Sequence, residues 1–193
     1  MNLKERVKDI LLSPQTEWPV IDTEPTTPAE LYKQYIVPLA AIGPVAQLLG
    51  WLVFGVHGYR PPIVSALATT LVQYVLTLAG TYVLALIIDA LAPTFNGKKN
   101  LLQALKVTAY SMTAAWIAGI FALIPPLTPL TILGLYSVYL LYLGLPILMK
   151  TPRDKALVYT GVVLIAAIVV SVLVGTLSYC FLPVSSAGMG VSW

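Results

Sequence analysis

Charged residues are scarce in this chain, and their scarcity indicates its class. Asp, Glu, Lys and Arg make up 10% of the 193 residues, whereas soluble domains carry about 25%. Hydrophobic residues make up 58%. A soluble fold would leave long uncharged stretches facing water, so the composition predicts an integral membrane protein with the lipid bilayer as its main partner.

Cysteine and histidine are nearly absent as well. The single cysteine, Cys180, cannot form an internal disulfide and lacks the spacing of a metal site, so we interpret it as a small buried hydrophobic residue. The only histidine, His57, has no carboxylate or thiol near it in sequence. No phosphate-binding glycine loop or metalloprotease motif is present. We therefore predict no catalytic residue, no metal, no cofactor and no nucleic-acid partner, and we interpret the protein as non-enzymatic.

Five continuous apolar runs are each long enough to cross a bilayer, which takes roughly 20 residues in a helix. Because only helices satisfy every backbone group within one such segment, the fold class is an all-α membrane protein with a five-transmembrane-helix bundle. Residues 1–34 form a cytoplasmic N-terminal segment, 35–182 the transmembrane domain and 183–193 a short extracytoplasmic tail. The predicted spans are about 35–56, 63–89, 101–124, 129–149 and 156–182.

The basic residues predict the orientation of the bundle. Lys and Arg in short connections stay on the cytoplasmic side, and ten of the eleven basic residues fall in the N-terminal segment or near the second and fourth connections. Only Arg60 falls on the other side. The N-terminal region lacks the pattern of a cleavable signal peptide. We expect a multi-pass protein of the cell (cytoplasmic or inner) membrane, with its N-terminus cytoplasmic and its C-terminus extracytoplasmic.

Polar residues predict where four helices begin. Thr27-Pro28-Ala29-Glu30 has the pattern of a capping box with proline at the first helical position. Thr151-Pro152-Arg153-Asp154 has the same pattern, while Asn100 and Thr128 are predicted N-caps of the third and fourth spans.

The first residues predict a short amphipathic helix over about 2–12. Its apolar residues recur at helical spacing, and Ser13-Pro14 ends the pattern. This helix lies in the headgroup layer with Trp18 as an interfacial anchor, covers the cytoplasmic end of the bundle, or binds a protein partner. The candidate interfacial residues are Leu3, Val7, Ile10, Leu11 and Trp18.

One carboxylate ends the second apolar run. Asp89 lies near a helix C-terminus, where the helix dipole disfavours a negative charge. We predict that an ion pair with Lys106, or with Lys98 or Lys99, offsets this cost. We interpret Asp89 either as a structural residue at the membrane boundary or as a functional intramembrane group.

Two further patterns lie inside the spans. Small residues four apart favour close helix packing within the bundle, with a homodimer face as the alternative; they are Ser111, Ala115 and Gly119 on the third span and Ala167, Ser171 and Gly175 on the fifth. Tyr136, Tyr139 and Tyr142 lie at spacing three on the fourth span. This row is a candidate polar seam, although ordinary hydrogen bonding between helices explains it equally well.

Several segments, taken in their order along the chain, resemble the bacterial branch of the Yip1 domain family. They are "SPQTEW", "YIVPLAAIGPVAQLLG", "IIDALAPTFNGKKNLLQALKVTAYSMTAAWIAGIFALIP" and "LYSVYLLYLGLPILMKTPRDKALVYT". The resemblance implies five spans with a cytoplasmic N-terminus and no catalytic residues. Eukaryotic relatives associate with Rab-type GTPases and with one another through longer N-terminal regions. This chain lacks their DLYGP-type motif, so GTPase binding is not implied.

Two functions are consistent with the sequence. The first is a non-enzymatic membrane organiser or adaptor, whose N-terminal segment contacts lipid headgroups or a protein partner. The second is a transporter or channel for a small solute or ion, acting as a homo-oligomer or alone, with Asp89 and the tyrosine row along its path.

Overall fold

Seven helices make up the part of the chain that the structure describes. The computed structural model describes residues 2–55 and 61–179, and these ranges contain no strand. Two short helices come first, α1 (Leu3–Leu12) and α2 (Pro14–Thr23). The longer helices are α3 (Pro28–Phe54), α4 (Ile63–Phe95), α5 (Leu101–Leu123), α6 (Pro125–Leu148) and α7 (Arg153–Tyr179). His57, Arg60, Cys180 and the predicted tail lie outside the described residues.

The five longer helices are each long and apolar enough to cross a membrane. The predicted all-α fold with five spans and a short N-terminal helix is therefore confirmed. Three bounds differ by more than three residues from the predicted apolar runs because the helices continue past them: the starts of α3 and α6 and the end of α4. α3 begins at Pro28 within a polar segment, and α4 continues through a final 3₁₀ turn to Phe95.

Two of the four predicted N-caps are present. The side chain of Thr27 accepts a hydrogen bond from the Glu30 N–H (3.2 Å), and the Glu30 carboxylate accepts one from the Thr27 N–H (2.9 Å). Asn100 likewise accepts from the Gln103 N–H at 3.2 Å. Both caps satisfy backbone donors that the first turn of a helix leaves without partners.

The other two predicted caps are wrong. The buried Thr151 hydroxyl has no hydrogen-bond partner among the described residues, because it faces Gly97 of the neighbouring loop and not the start of α7. Thr128 lies inside α6, which begins at Pro125 without a side-chain cap. The fixed φ of consecutive prolines at the start of α6 already suits a helix, which explains the earlier start.

α3, α5 and α6 are irregular. α3 contains a π-helical stretch at Tyr32–Ile36, just before Pro38, and a turn at Ala41. The segments of α5 and α6 that meet at Ile124 are 3₁₀ helices, Gly119–Leu123 and Pro125–Leu135. Neither segment contains a fully buried residue, so their apolar side chains are available to lipid.

Small residues bring α3, α5 and α6 close together. A Cβ built on Gly119 would lie 2.8 Å from the Cα of Gly43, and one on Gly134 would lie 3.1 Å from the Cα of Ala115. The Ser137 hydroxyl of α6 also accepts a hydrogen bond from the Ala115 N–H of α5 at 3.0 Å. Two members of the predicted ridge, Ala115 and Gly119, therefore contact neighbouring helices of the same chain, and the third, Ser111, is buried.

The two ends of the bundle differ in charge. One end holds α1, α2 and the loops at residues 96–100 and 149–152, together with nearly all of the described charged residues. We call it the charged end. Under the predicted orientation this end faces the cytoplasm.

Candidate functional site

α1 and α2 form a helical hairpin that packs against α5 and α6. Ile10, Trp18 and Ile21 are fully buried, and Leu3, Val7 and Leu11 pack against the same core. The predicted interfacial role is therefore wrong for Ile10 and Trp18, whereas Leu3, Val7 and Leu11 are only partly buried. The packing agrees with the alternative placement, in which the helix covers the end of the bundle. Burial against protein removes apolar surface from water as effectively as insertion among headgroups.

Trp18 is seated on a glycine of α6. A Cβ built on Gly144 would lie 2.7 Å from Cζ2 of Trp18 and 2.7 Å from Cγ2 of Val107. No other residue type fits here without moving the indole. Gly144 thus allows the ring to enter between α5 and α6, while the ring meets Tyr110 edge-on at 6.3 Å between centroids.

Lys106 of α5 binds the end of α2. Its ammonium donates to the carbonyl oxygens of Ile21 (2.8 Å) and Glu24 (2.7 Å), and the residue is 2% exposed. The last carbonyls of a helix lack intrahelical partners and carry partial negative charge, so a buried cation stabilises them. Lys106 therefore holds the hairpin on the bundle.

Arg6 joins the two arms of the hairpin. Its guanidinium pairs with the carboxylates of Glu17 and Glu24 and lies 5.9 Å from the centroid of the Tyr110 ring. Burial lowers the pKa of Arg6, but the two carboxylates offset this, so its pKa is raised overall and the group stays charged. The ion pairs fix α1 relative to α2.

Two polar contacts complete the attachment at the end of α2. Asp22 accepts a hydrogen bond from the Lys150 ammonium at 2.6 Å, and its carbonyl accepts from the Gln103 side-chain amide at 3.1 Å. The Lys150 pair is partly solvent-exposed, with 49% of the Lys150 side chain and 19% of the Asp22 side chain accessible, so it contributes at most about 1 kcal/mol. The ion pair connects the hairpin to the loop before α7.

The loops at 96–100 and 149–152 are held together and form one basic surface. The Lys98 N–H donates to the Met149 carbonyl at 2.8 Å. Gly97 fits between the loops because a Cβ there would lie 2.8 Å from that carbonyl oxygen. We call the surface the basic platform; its members are Lys98, Lys99, Lys150, Arg153 and Lys155.

The basic platform carries the net charge of the chain. It holds five of the eleven basic residues, and two of the eight acidic residues, Asp22 and Asp154, lie against or within it. The rest of the sequence has six of each sign, so the net charge of +3 is concentrated on this surface.

Comparison with known proteins gives the family. The sequence model described as the Yip1 domain matches residues 8–175. The chain belongs to the Yip1 domain family. No curated protein and no solved structure matches the chain significantly. The matched range includes the end of α1 and all of α2, so the docked hairpin falls largely within the Yip1 domain. Members of this family are generally non-enzymatic membrane proteins, and the assignment to its bacterial branch stays a prediction.

The predicted ion pair of Asp89 is not formed in the Yip1 domain. The described residues contain no ion pair of Asp89, and its buried Oδ1 has no hydrogen-bond partner. Lys106 points instead toward α2, and Lys98 and Lys99 are exposed on the basic platform. Tyr159 lies nearby and donates its hydroxyl to the Ile88 carbonyl. Similar depth along two helices does not bring side chains on different faces together.

The predicted tyrosine seam lies on the outside of α6. Tyr136, Tyr139 and Tyr142 are 36%, 41% and 38% exposed. Tyr136 donates to the Leu11 carbonyl at 3.1 Å, and its ring packs against Tyr139. The row therefore borders the turn of the hairpin, and it lines no interior path in the described residues.

The second small-residue ridge lines a groove. Ala167, Ser171 and Gly175 of α7 face α4, and a Cβ on Gly175 would meet nothing within 4 Å.

Within the described ranges, no group of three or more His, Cys, Asp or Glu residues is placed to hold a metal ion.

The sequence reasoning missed the residues that attach the hairpin: Arg6, Glu17, Asp22 and Glu24. One signal was available. Pro14 at a second helix start, followed by Trp18 and Ile21 on one face, predicts a second short helix with an apolar side of its own.

Proposed function

We propose that this Yip1-domain protein is a non-enzymatic membrane organiser that works through its charged end, where the basic platform binds anionic lipid headgroups of the cytoplasmic leaflet. The concentration of the net charge on one surface carries this proposal. Lipid is the proposed ligand, and the test below distinguishes it from an acidic protein.

The position of the basic platform favours lipid over a soluble ligand. Leu157 and Val158 follow Lys155 within one helical turn and are 71% and 60% exposed, as expected for side chains that face acyl chains. The headgroups of that leaflet then lie beside the platform. Lys and Arg near an anionic membrane surface contribute about 1 kcal/mol each.

The hairpin gives the charged end a defined shape. Because its apolar face is buried against α5 and α6, only its outer face is available for contacts. That face is balanced in charge, and its exposed charged residues are Lys4, Glu5, Lys8 and Asp9. The adaptor role of the N-terminal segment is thus proposed for this polar face, together with the basic platform.

Removal of two platform charges is expected to weaken anionic lipid binding. For Lys98→Gln with Lys99→Gln, the loss of about 1 kcal/mol per charge corresponds to roughly 30-fold weaker binding. The measurement is the titration of detergent-solubilised protein with fluorescent phosphatidylglycerol, read by energy transfer from tryptophan. High salt is expected to weaken binding to the wild type in the same direction.

The matched control removes two charges from the hairpin. Lys4→Gln with Lys8→Gln lowers the net charge equally but leaves the platform intact, so its binding curve is expected to stay close to that of the wild type. Equal curves for both double variants would contradict the lipid proposal. The proposal would also be contradicted if the platform variant still bound lipid but no longer bound an acidic protein that binds the wild type.

Transport is not favoured as an alternative. Asp89 lies at the charged end and the tyrosine row on the outside of α6, so these two candidates do not border one described cavity.

A further inference from the structure

A polar groove lies in the half of the bundle away from the charged end. It consists of two adjoining cavities of about 280 and 240 Å³ that share Gln73 and Thr77 of α4. The first lies between α3, α4 and α5, and the second between α4, α5 and α7. No charged residue lines either cavity. We call the two together the polar groove.

A line of polar side chains runs along α4 beside this groove. Thr69, Gln73, Thr77 and Thr81 recur every fourth residue, which places them on one face of the helix. The hydroxyls of Thr77 and Thr81 donate to the carbonyls four residues earlier, at 2.8 and 2.9 Å. The hydroxyl of Thr69 is buried without a partner among the described residues.

Two glutamine amides in the first cavity also have no hydrogen-bond partner among the described residues. Gln47 of α3 and Gln73 of α4 both line it, and no hydrogen bond between described residues involves either side-chain amide. An amide left unpaired in an apolar medium costs several kcal/mol, so such groups normally find a partner. Both side chains are half-buried, so any partner of their amides lies outside the described residues.

The depth of the amides restricts what that partner is. Gln73 lies ten residues after Ile63, the first residue of α4, which is roughly 15 Å at 1.5 Å per residue. Gln47 lies roughly 10 Å from the end of α3 at Phe54 by the same rule. Both amides therefore lie within a hydrocarbon layer about 30 Å thick. A phospholipid with a charged headgroup is held at the surface and does not reach them.

We propose that the polar groove binds a neutral lipid of the diacylglycerol type, whose hydroxyl and ester carbonyls pair with the amides of Gln47 and Gln73. An amide both donates and accepts, so it complements a head that carries both kinds of group. The uncharged lining suits an uncharged head. Ser171, on the α7 side of the groove, is exposed, which leaves a way in from the surrounding lipid.

This proposal is independent of the basic platform. The groove lies in the other half of the bundle and recognises an uncharged ligand, whereas the platform recognises a negative charge. Failure of one therefore leaves the other untouched.

Photolabelling tests the proposal in a membrane. Full-length protein is reconstituted in phosphatidylcholine vesicles that contain diacylglycerol with a photoreactive acyl chain, and labelled peptides are identified by mass spectrometry. We expect labelling of the α3, α5 and α7 segments that line the groove. Phosphatidylglycerol with the same photoreactive chain is expected to label these segments at least five-fold less.

Variants link the labelling to the amides. Gln47→Leu and Gln73→Leu are each expected to lower labelling by diacylglycerol at least five-fold. Without the ligand, both variants are expected to melt at higher temperature than the wild type, because each removes an unpaired amide. Thr176→Val is the control, since Thr176 lies on α7, bonds only its own helix and does not line the groove; it is expected to keep full labelling.

Three results would overturn the proposal. The first is equal labelling of the groove by the two lipids, and the second is unchanged labelling in both glutamine variants. The third is a lower melting temperature in the leucine variants with cross-linking to a second copy of the chain, which would make the amides part of a helix–helix interface.

Discussion

Lys106→Met is expected to release the end of α2 from the bundle and to destabilise the protein by about 2–4 kcal/mol. The substitution keeps an unbranched side chain as far as Cε but removes the ammonium that binds the carbonyls of Ile21 and Glu24. Those carbonyls then lose a charged donor in a buried position. The measurement is hydrogen exchange of residues 3–24 in lipid, which is expected to become much faster in the variant than in the wild type.

Lys98→Met controls for the loss of one positive charge. Lys98 is exposed in the loop after α4, and its side chain forms no ion pair among the described residues. This variant is expected to exchange like the wild type over residues 3–24. If Lys106→Met left the exchange of the hairpin unchanged, the ammonium would not be what holds it.

Gly144→Ala is expected to displace Trp18 and to cost about 1–3 kcal/mol, the usual range for an added methyl group in a packed core. The new Cβ would lie 2.7 Å from the indole and 2.7 Å from Val107. Because the ring is fully buried between two helices, neither neighbour moves away freely. The melting temperature of the detergent-solubilised protein is expected to fall by several degrees.

A second glycine separates this clash from the general effect of alanine. A Cβ on Gly161 of α7 would meet nothing within 4 Å, so Gly161→Ala is expected to leave the melting temperature close to that of the wild type. A similar fall in both variants would mean that alanine itself, and not the contact with Trp18, causes the loss.

The helices are predictable from the composition of the chain and from the residues that start and end each helix. An apolar run of more than twenty residues has few stable alternatives to a spanning helix, so the five spans are predictable. The caps at Thr27 and Asn100 are predictable because their bonds are local in sequence. Thr151 shows the limit of such patterns, since a tertiary contact with Gly97 takes its hydroxyl away from the helix it would have capped.

The docking of the hairpin is not predictable from the same patterns. An apolar helix face at Leu3, Val7 and Ile10 looks the same whether lipid or protein covers it. Lys106 shows the same ambiguity, because a lysine near a helix start reads as an interfacial residue or as a partner for the nearest carboxylate. Its actual ligands are backbone carbonyls more than eighty residues away, and carbonyls carry no sequence signal.

The polar groove is visible in sequence only in part. Gln47 and Gln73 stand out in apolar runs, but interhelical hydrogen bonds are the ordinary expectation for such residues. Only the packing of α3, α4 and α5 leaves the two amides beside a cavity without partners.

Cross-linking of α2 to the loop before α7 tests the central claim, that the N-terminal hairpin is docked on the bundle. Cysteines are placed at Asp22 and Lys150, whose side chains meet at 2.6 Å, in a background with Cys180→Ser. In native membranes a short bifunctional thiol reagent is expected to join the pair within one chain nearly completely, which mass spectrometry of the linked peptides confirms. Free reactivity of both cysteines without a link would contradict the docked arrangement.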